Sequence, residues 1–492
     1  MFRPLDYAVL AGYFGLCAGV GWWTGRGQKD AAEYFKGGGQ MPVWAVCLSI
    51  LASEMSALTF CGVPGASYKG DLTYFQFVVG NFAGRVLVAV LFIPVFYSAG
   101  VTSVYEFLGM RFGPATRGMA SLLFFLTRIV ASGVRLTAAA IVVQEVTGWE
   151  FWKCVVGFTA LTAVYTIYGG IKSIIWTDVL QFFLFVGGGL LALALILGDD
   201  SVGGLAGVVR AAAPQHKLRI VDPSWDLTRS FTLVSCLIGG PVLMFATHGT
   251  DQDMVQRMLT CKGGSQGSRS VVWSGIVSLP LQLLFLFIGV GLFAFYAQHP
   301  DLESHLPRDP AGALRRDYLF PHFIVHQLPA GLRGLVMAAV FAAAMSTTSS
   351  AIGALALVAM VDGVKRFRKS PGDPGGDLRT SRLLSAGVSA GLIAVAIGFR
   401  SAPSLLEAGL EVMTYTYGAL LGIFCLGRLT RARGSDRANV VAMLLGVGIV
   451  MMLKFETRIA WPWFTVAGFL ATFAAGALLP TRPAGPQTLR VS

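Results

Sequence analysis

The stretch FAAAMSTTSSAIGALALVAM, Phe341–Met360, is long and apolar enough to cross a bilayer, yet it carries five consecutive hydroxyl residues, Ser346 to Ser350. At about 100° per residue, Ser346, Ser349 and Ser350 share one helix face and Thr347 flanks it. Two roles fit such a face. Each hydroxyl can bond back to a carbonyl one turn earlier or serve as a small helix-packing group. Alternatively, the oxygens replace the water shell of a hard cation, which takes oxygen ligands. Neutral oxygens do this only with help from carbonyls or a carboxylate, so the second reading demands an acid at membrane depth.

The rest of the chain supports a bilayer setting. Of 492 residues, 54% are hydrophobic and 13% charged, against roughly 25% charged in a soluble domain. Apolar runs fall near 7–23, 42–66, 71–98, 117–145, 152–168, 173–197, 230–248, 271–297, 320–361, 381–399, 402–427, 438–453 and 460–479, about thirteen spans on this hydropathy reading. The fold class expected is an all-α polytopic membrane protein. Its net charge of +12 does not indicate nucleic acid, because the basic residues sit in alternate loops without interleaved aromatics. Arg26, Lys29 and Lys36, then Arg111 and Arg117, Lys172, Arg257, Lys262 and Arg269, Lys365–Lys369, and Arg428–Arg437 mark one side. Basic loops stay cytoplasmic, which predicts a cell (inner) membrane protein with its N-terminus outside and its C-terminus cytoplasmic. The first apolar run has no A-x-A-like cleavage site and reads as a retained helix. Seven cysteines without a C-x-x-C read as packing residues.

Two polar interruptions stand out. The second span holds ASEMSALTF, Ala52–Phe60, followed by Pro64; the seventh holds IGGPVLMFATHG, Ile238–Gly249. Gly-Gly-Pro is expected to break the seventh helix, because proline removes a donor and clashes one turn back. Interrupted helices in corresponding places of two halves point to a transporter with inverted repeats. The polar stretch Lys365–Arg382 reads as a cytoplasmic loop between halves, Gly169-Gly170 as a tight turn, and the tail PTRPAGPQTLRVS as disordered.

Intramembrane charges are functional hypotheses by default. Asp178 starts the sixth span, and its structural alternative is a cap or a pair with Lys172. Glu54 sits in the second span, with a structural ion pair as its alternative. Arg128 and Arg135 lie on one face of the fourth span, where one can partner Glu54 and the other can face an anionic solute through its fork. Snorkelling suits Arg128, whereas Arg135 is deeper. His248 reads as a packing histidine, and the tyrosines of MTYTYG, Met413–Gly418, as packing or a solute-stacking gate.

Four segments taken together, SILASEMSALTFCGVPGASY (Ser49–Tyr68), YTIYGGIKSIIWTDVLQ (Tyr165–Gln181), THGTDQDMVQRMLT (Thr247–Thr260) and AAVFAAAMSTTSSAIGALA (Ala338–Ala356), resemble the sodium:solute symporter family, in order from about Tyr7 to Arg428. That family carries sugars, proline, sialic acid, vitamins, monocarboxylates and iodide. The resemblance implies a five-plus-five inverted-repeat fold with broken second and seventh helices, within a carrier unit at 1–430 followed by further helices and a tail at 431–492. It implies Na+ as coupling ion, one or two per cycle. The first ion is assigned to the carbonyls of Ala52, Met55 and Ala343 with the hydroxyls of Ser346 and Thr347. The second is assigned to Asp178 with Ser346, Ser349 and Ser350. The solute is assigned to Glu54, Ser56, Thr59 and Asn81, with Arg135 on the fourth span and Phe245 or a neighbour as a stacking partner.

Glu54 departs from several branches of the family: sugar carriers tend to have asparagine there, and monocarboxylate and vitamin carriers an apolar residue. Proline carriers have aspartate in a similar setting. Sialic acid carriers have an arginine near Arg128 and Arg135. The expected function is import of a small polar organic solute such as a sugar, sialic acid or other carboxylate. The alternative is a proton-coupled or proline-like carrier. The partners expected are the solute and the lipid bilayer, with no obligatory protein partner. For an enzyme, His248 with scattered serines is too thin a set.

Overall fold

The computed structural model describes residues 3–478 apart from 27–29, 307, 309–311, 313, 369–372 and 401–404. The tail 480–492, part of the 365–382 loop and the start of the 402–427 run lie outside the described residues. Helices dominate, and the β pairing among the described residues is one isolated bridge, Arg308 to Leu314. The bundle consists of α1 (Pro4–Gly25), α2 (Val43–Glu54), α3 (Ala57–Lys69), α4 (Tyr74–Leu91), α5 (Pro114–Thr147), α6 (Phe151–Leu197), α7 (Leu233–Thr250), α8 (Gln252–Met258), α9 (Gly264–Gln298), α10 (Leu332–Val358), α11 (Pro374–Gly398), α12 (Leu405–Leu429), α13 (Asp436–Glu456) and α14 (Pro462–Leu478). Shorter helices occupy the connections. The seven cysteines are buried, in keeping with a packing role.

Among the described residues, ten helices are long and apolar enough to cross a membrane, or eleven with the bent pair α2–α3 counted as one span. The count from hydropathy was higher because length alone conceals two crossings. Helix α6 has 47 residues, about 70 Å at 1.5 Å per residue, more than twice the hydrocarbon thickness. It is broken at Gly170 (φ 54°, ψ −153°), a region essentially open only to glycine. The tight turn expected at Gly169-Gly170 is therefore present, and it separates the runs at 152–168 and 173–197. Helix α14, at 17 residues, falls just below the length threshold. With both counted, the thirteen runs and the helices correspond.

Two breaks position the site. Helix α2 ends at Glu54, Met55 and Ser56 leave helical geometry, and α3 departs at 59°. The seventh span breaks elsewhere than expected. Helix α7 runs straight through Gly239-Gly240-Pro241 and stops at Asp251 (φ −83°, ψ 120°), whose carboxylate caps α8 by accepting from the Asp253 amide at 2.8 Å. A buried membrane helix tolerates proline where neighbours re-satisfy the freed group. The small residues here serve close approach: a Cβ on Gly240 would lie 3.2 Å from Asn81 Oδ1, and one on Gly84 of α4 would lie 2.7 Å from Met244 Cβ and 2.8 Å from Phe245 N. Gly84→Ala therefore has no room without separating α4 from α7. Overpacking of this kind costs about 1–3 kcal/mol, and a lower melting temperature in detergent is expected. An unchanged melting temperature would show that the contact yields.

Helix α10, which carries the hydroxyl run, is the axis of the bundle, with 94% of its apolar window buried inside the protein. Its N-terminus is pinned by Asp6 of α1, which accepts from the amides of Gly331 (2.7 Å) and Gly334 (3.0 Å).

Candidate solute and cation site

At the break in the second span, backbone pairing is interrupted at two carbonyls. The Ser56 amide donates to Glu54 O (3.0 Å) in place of Ala52 O, and the Thr59 amide to Ser56 O (2.9 Å) in place of Met55 O. Helix ends leave such carbonyls for other donors or cations. Across from them, Asp178 of α6 draws α2 and α10 together: Ser49 Oγ donates to its Oδ2 at 2.5 Å and Ser346 Oγ to its Oδ1 at 2.6 Å. The second and ninth spans run in opposite directions. Ala52, one turn past Ser49, and Ala343, one turn before Ser346, therefore lie at the same depth. Thr347 Oγ1 donates to Ala343 O at 3.1 Å. Asp178 thus ties the stretch of α2 that holds Ala52 to the stretch of α10 that holds Ala343, Ser346 and Thr347.

The second set is gathered around Arg257, a buried side chain of α8. Arg257 of α8 donates to Asp178 Oδ2 at 3.1 Å and to Ser350 Oγ. Ser349 and Ser350 direct their own hydroxyl protons to Ser346 O, at 3.0 and 2.5 Å. Asp178 does not pair with Lys172, whose partner is Glu33 at 2.7 Å.

A cavity of about 110 Å³ lies against the same break. Glu54, Ser56, Thr59, Asn81 and Arg135 all line it. Phe245 does not: it stacks on Phe92 with centroids 4.7 Å apart, while its neighbours Met244, Thr247 and His248 face the cavity. With its amide turned to donate, Asn81 reaches the carbonyls of Phe77 (3.2 Å) and Gly240 (3.1 Å). Gln282 Oε1, His248 Nε2 and Arg128 Nε line or border this space without a hydrogen-bond partner. Buried polar groups without partners are uncommon, and a solute would satisfy them.

The charges are arranged differently from expectation. Glu54 pairs with Arg85 of α4, a residue not considered from sequence, and Arg85 also donates to Ser274 Oγ at 2.6 Å. Arg128 does not snorkel. Its fork is buried between Asp251 (2.9 Å) and Asp253, because desolvating a guanidinium is tolerable only with opposite charge at hand. Tyr417 of the MTYTYG segment donates to Asp251 Oδ2 at 2.5 Å, holding that carboxylate. Among the described residues, Arg135 alone of these arginines pairs with no carboxylate, and its Nη2 lies 3.4 Å from Met413 Sδ. Arg257, expected in a basic cytoplasmic loop, is instead buried on α8; with Asp251 and Asp253 it carried a readable signal, three charges within seven residues directly after an apolar run.

Two broken helices meeting at a polar mid-bundle cavity, with carbonyls freed beside a buried acid, define a membrane carrier that moves a solute with a cation. The sodium:solute symporter family profile matches residues 34–397. The chain belongs to that family. It is 28% identical to the sodium/sialic acid symporter SiaT of Proteus mirabilis (strain HI4320), covering 97% of this chain and 95% of SiaT. It is 30% identical to the sodium-coupled monocarboxylate transporter 1 of Homo sapiens, covering 94% and 75%. Among solved structures, a substrate-bound, outward-open Na+-coupled sialic acid symporter, described as revealing a novel Na+ site, superposes with TM-score 0.87 at 28% identity, covering 98% of this chain and all of the other. The protein is a multi-pass, sodium-coupled symporter of the inverted-repeat fold.

Proposed function

We propose that the solute is a carboxylate of the sialic acid class, held by Arg135 and imported with sodium. The observation that carries this reading is Arg135, a guanidinium facing the cavity whose recorded contact is a thioether. A bidentate carboxylate is the natural partner of that fork. Around the cavity, the described acids Glu54, Asp178, Asp251 and Asp253 are balanced by Arg85, Arg128, Arg135 and Arg257. An anion entering this balanced interior leaves net charge in low dielectric unless a cation enters too. That is a physical reason for coupling. SiaT and the superposing solved structure are sialic acid symporters, which supports the substrate class.

Sodium at Ala52, Met55, Ala343, Ser346 and Thr347 ties α2 to α10 beside the cavity. It thereby fixes Glu54, Ser56 and Thr59 for the solute, so each ligand raises affinity for the other by the same factor. The basic loops support an N-terminus outside and a C-terminus in the cytoplasm of a bacterial inner membrane. With one sodium per carboxylate the two charges cancel and the membrane potential does no work; with a second sodium, inward movement of the net charge gains about 2.3 kcal/mol per 100 mV. We read α13 and α14 as additions beyond the carrier unit at 1–430.

Uptake into proteoliposomes tests the substrate. Labelled sialic acid, lactate, proline and glucose are offered with sodium or choline outside. Sodium-dependent uptake of sialic acid, weaker for lactate, is expected. Uptake of glucose or proline with no transport of sialic acid or lactate overturns the assignment.

A further inference from the structure

The seat at Asp178 already holds a cation, and it belongs to the protein. All five N–H groups of Arg257 are directed at buried acceptors. Nε donates to Ser49 Oγ at 2.9 Å. Nη1 donates to Asp253 O at 2.9 Å and to the Asp253 carboxylate. Nη2 donates to Asp178 Oδ2 and to Ser350 Oγ. Arg257 is 1% exposed and Asp178 is fully buried. Hence two of the oxygens that would ligate a hard cation, Asp178 Oδ2 and Ser350 Oγ, are engaged by a guanidinium, while Asp178 Oδ1 accepts from Ser346. A sodium ion seated on Asp178 Oδ2 and Ser350 Oγ has to displace Nη2.

We infer that Arg257 is the resident competitor for a second sodium ion at Asp178, Ser346 and Ser350, and that ion binding there proceeds by exchange with its Nη2 group. This rests on the sodium-coupled reading above. The exchange is feasible because Arg257 has two anchors. Its Nη1 grips Asp253 one turn back on the same short helix, so the guanidinium stays paired when Nη2 leaves Asp178. An ordinary lysine, a single point charge, would not be held at both acids in this way.

Three consequences follow from the geometry. With no ion bound, the Asp178 carboxylate remains compensated, so the empty carrier can reorient without exposing a bare buried charge. The second ion binds more weakly than its ligand set alone would give, because it must displace a charge-assisted pair. Exchange also unties α8, the inner half of the broken seventh span, from α6, since the Arg257–Asp178 bond links them. Loading the ion thus loosens the element that has to move.

The test is a sodium titration of thermal stability in purified full-length protein, with choline keeping ionic strength constant, for the parent chain, Arg257→Gln and Asp178→Asn. Arg257→Gln should be less stable than the parent in choline, yet respond to sodium at about tenfold lower concentration or less, the worth of one buried charge-assisted bond. Its total gain in melting temperature from sodium should also be larger, because the ion replaces the missing guanidinium. A merely structural arginine predicts lower stability with an unchanged or higher half-saturating sodium, and that result overturns the inference. If Arg257→Gln does not fold, Asp178→Asn decides. The parent should show two sodium sites and Asp178→Asn one, that one keeping the parent's higher affinity; identical titrations overturn it. Absence of any sodium effect in the parent chain would instead sink the sodium-coupled reading itself.

Discussion

Arg135→Met should abolish carboxylate uptake while leaving sodium-dependent stabilisation of the solute-free protein intact. The side chain lines the cavity with Asn81 and Thr59, and its recorded partner is Met413 Sδ. Truncating one member of a buried, hydrogen-bonded charge pair costs about 2–5 kcal/mol, so solute affinity should fall about thirtyfold or more. The substitution removes no ion pair in the solute-free protein. It should therefore fold at least as well as the parent, which separates a binding defect from a folding defect. Isothermal titration with sialic acid in saturating sodium reads the loss directly. Retained affinity would transfer the anion to another group. Arg128 and Arg85 are poor candidates, because both are already spent on carboxylates.

Ser346→Ala should remove the saturable part of the sodium response altogether. Its hydroxyl is the one assigned to both ions: it donates to Asp178 Oδ1 at 2.6 Å, and its residue sits one turn from Ala343. A ligand present at a hundred times its dissociation constant stabilises by about 2.7 kcal/mol, a shift of a few degrees in melting temperature for a chain of this size. The variant should show neither that shift nor sodium-driven uptake. Thr347→Ala, which touches the first ion's set alone, should lose the tighter component and keep the weaker. A parent-like response in Ser346→Ala would dissolve the shared-ligand arrangement. A loss in Ser346→Ala together with a normal Thr347→Ala would confine the ion to Asp178.

Some of this was legible because it is written in local pattern. Apolar runs mark spans wherever they exceed the bilayer thickness, and Gly169-Gly170 marks a turn because glycine alone adopts the required backbone angles. A block of hydroxyls in hydrocarbon announces oxygen chemistry because water is not there to solvate it. The gathering of Glu54, Ser56, Thr59, Asn81 and Arg135 around one cavity followed from the polar interruption of the second span and from family resemblance, not from spacing.

Partner choice was not legible. Glu54 lies 31 residues from Arg85, and Arg128 lies 123 from Asp251. No periodicity links them; what pairs them is the requirement that each buried charge find an opposite one. The break in the seventh span was misplaced for a related reason. Gly-Gly-Pro weakens an isolated helix, but against α4 the glycines permit contact, and the chain parts instead at Asp251, whose capped carboxylate is held by Arg128 and Tyr417. Phe245 faced Phe92 rather than the cavity because a one-residue rotation of 100° on a helix decides which side chain points inward.

The sequence by itself determined that this chain is a many-helix membrane protein with breaks, acids and hydroxyls in its interior, because solvation and backbone hydrogen bonding act on every residue locally. Only the tertiary structure decided which arginine neutralises which acid, placing Arg135 at the cavity beside Met413 and seating Arg257 at Asp178. Electrostatic pairing in a low dielectric depends on distances across the bundle, and those exist only once the helices have packed.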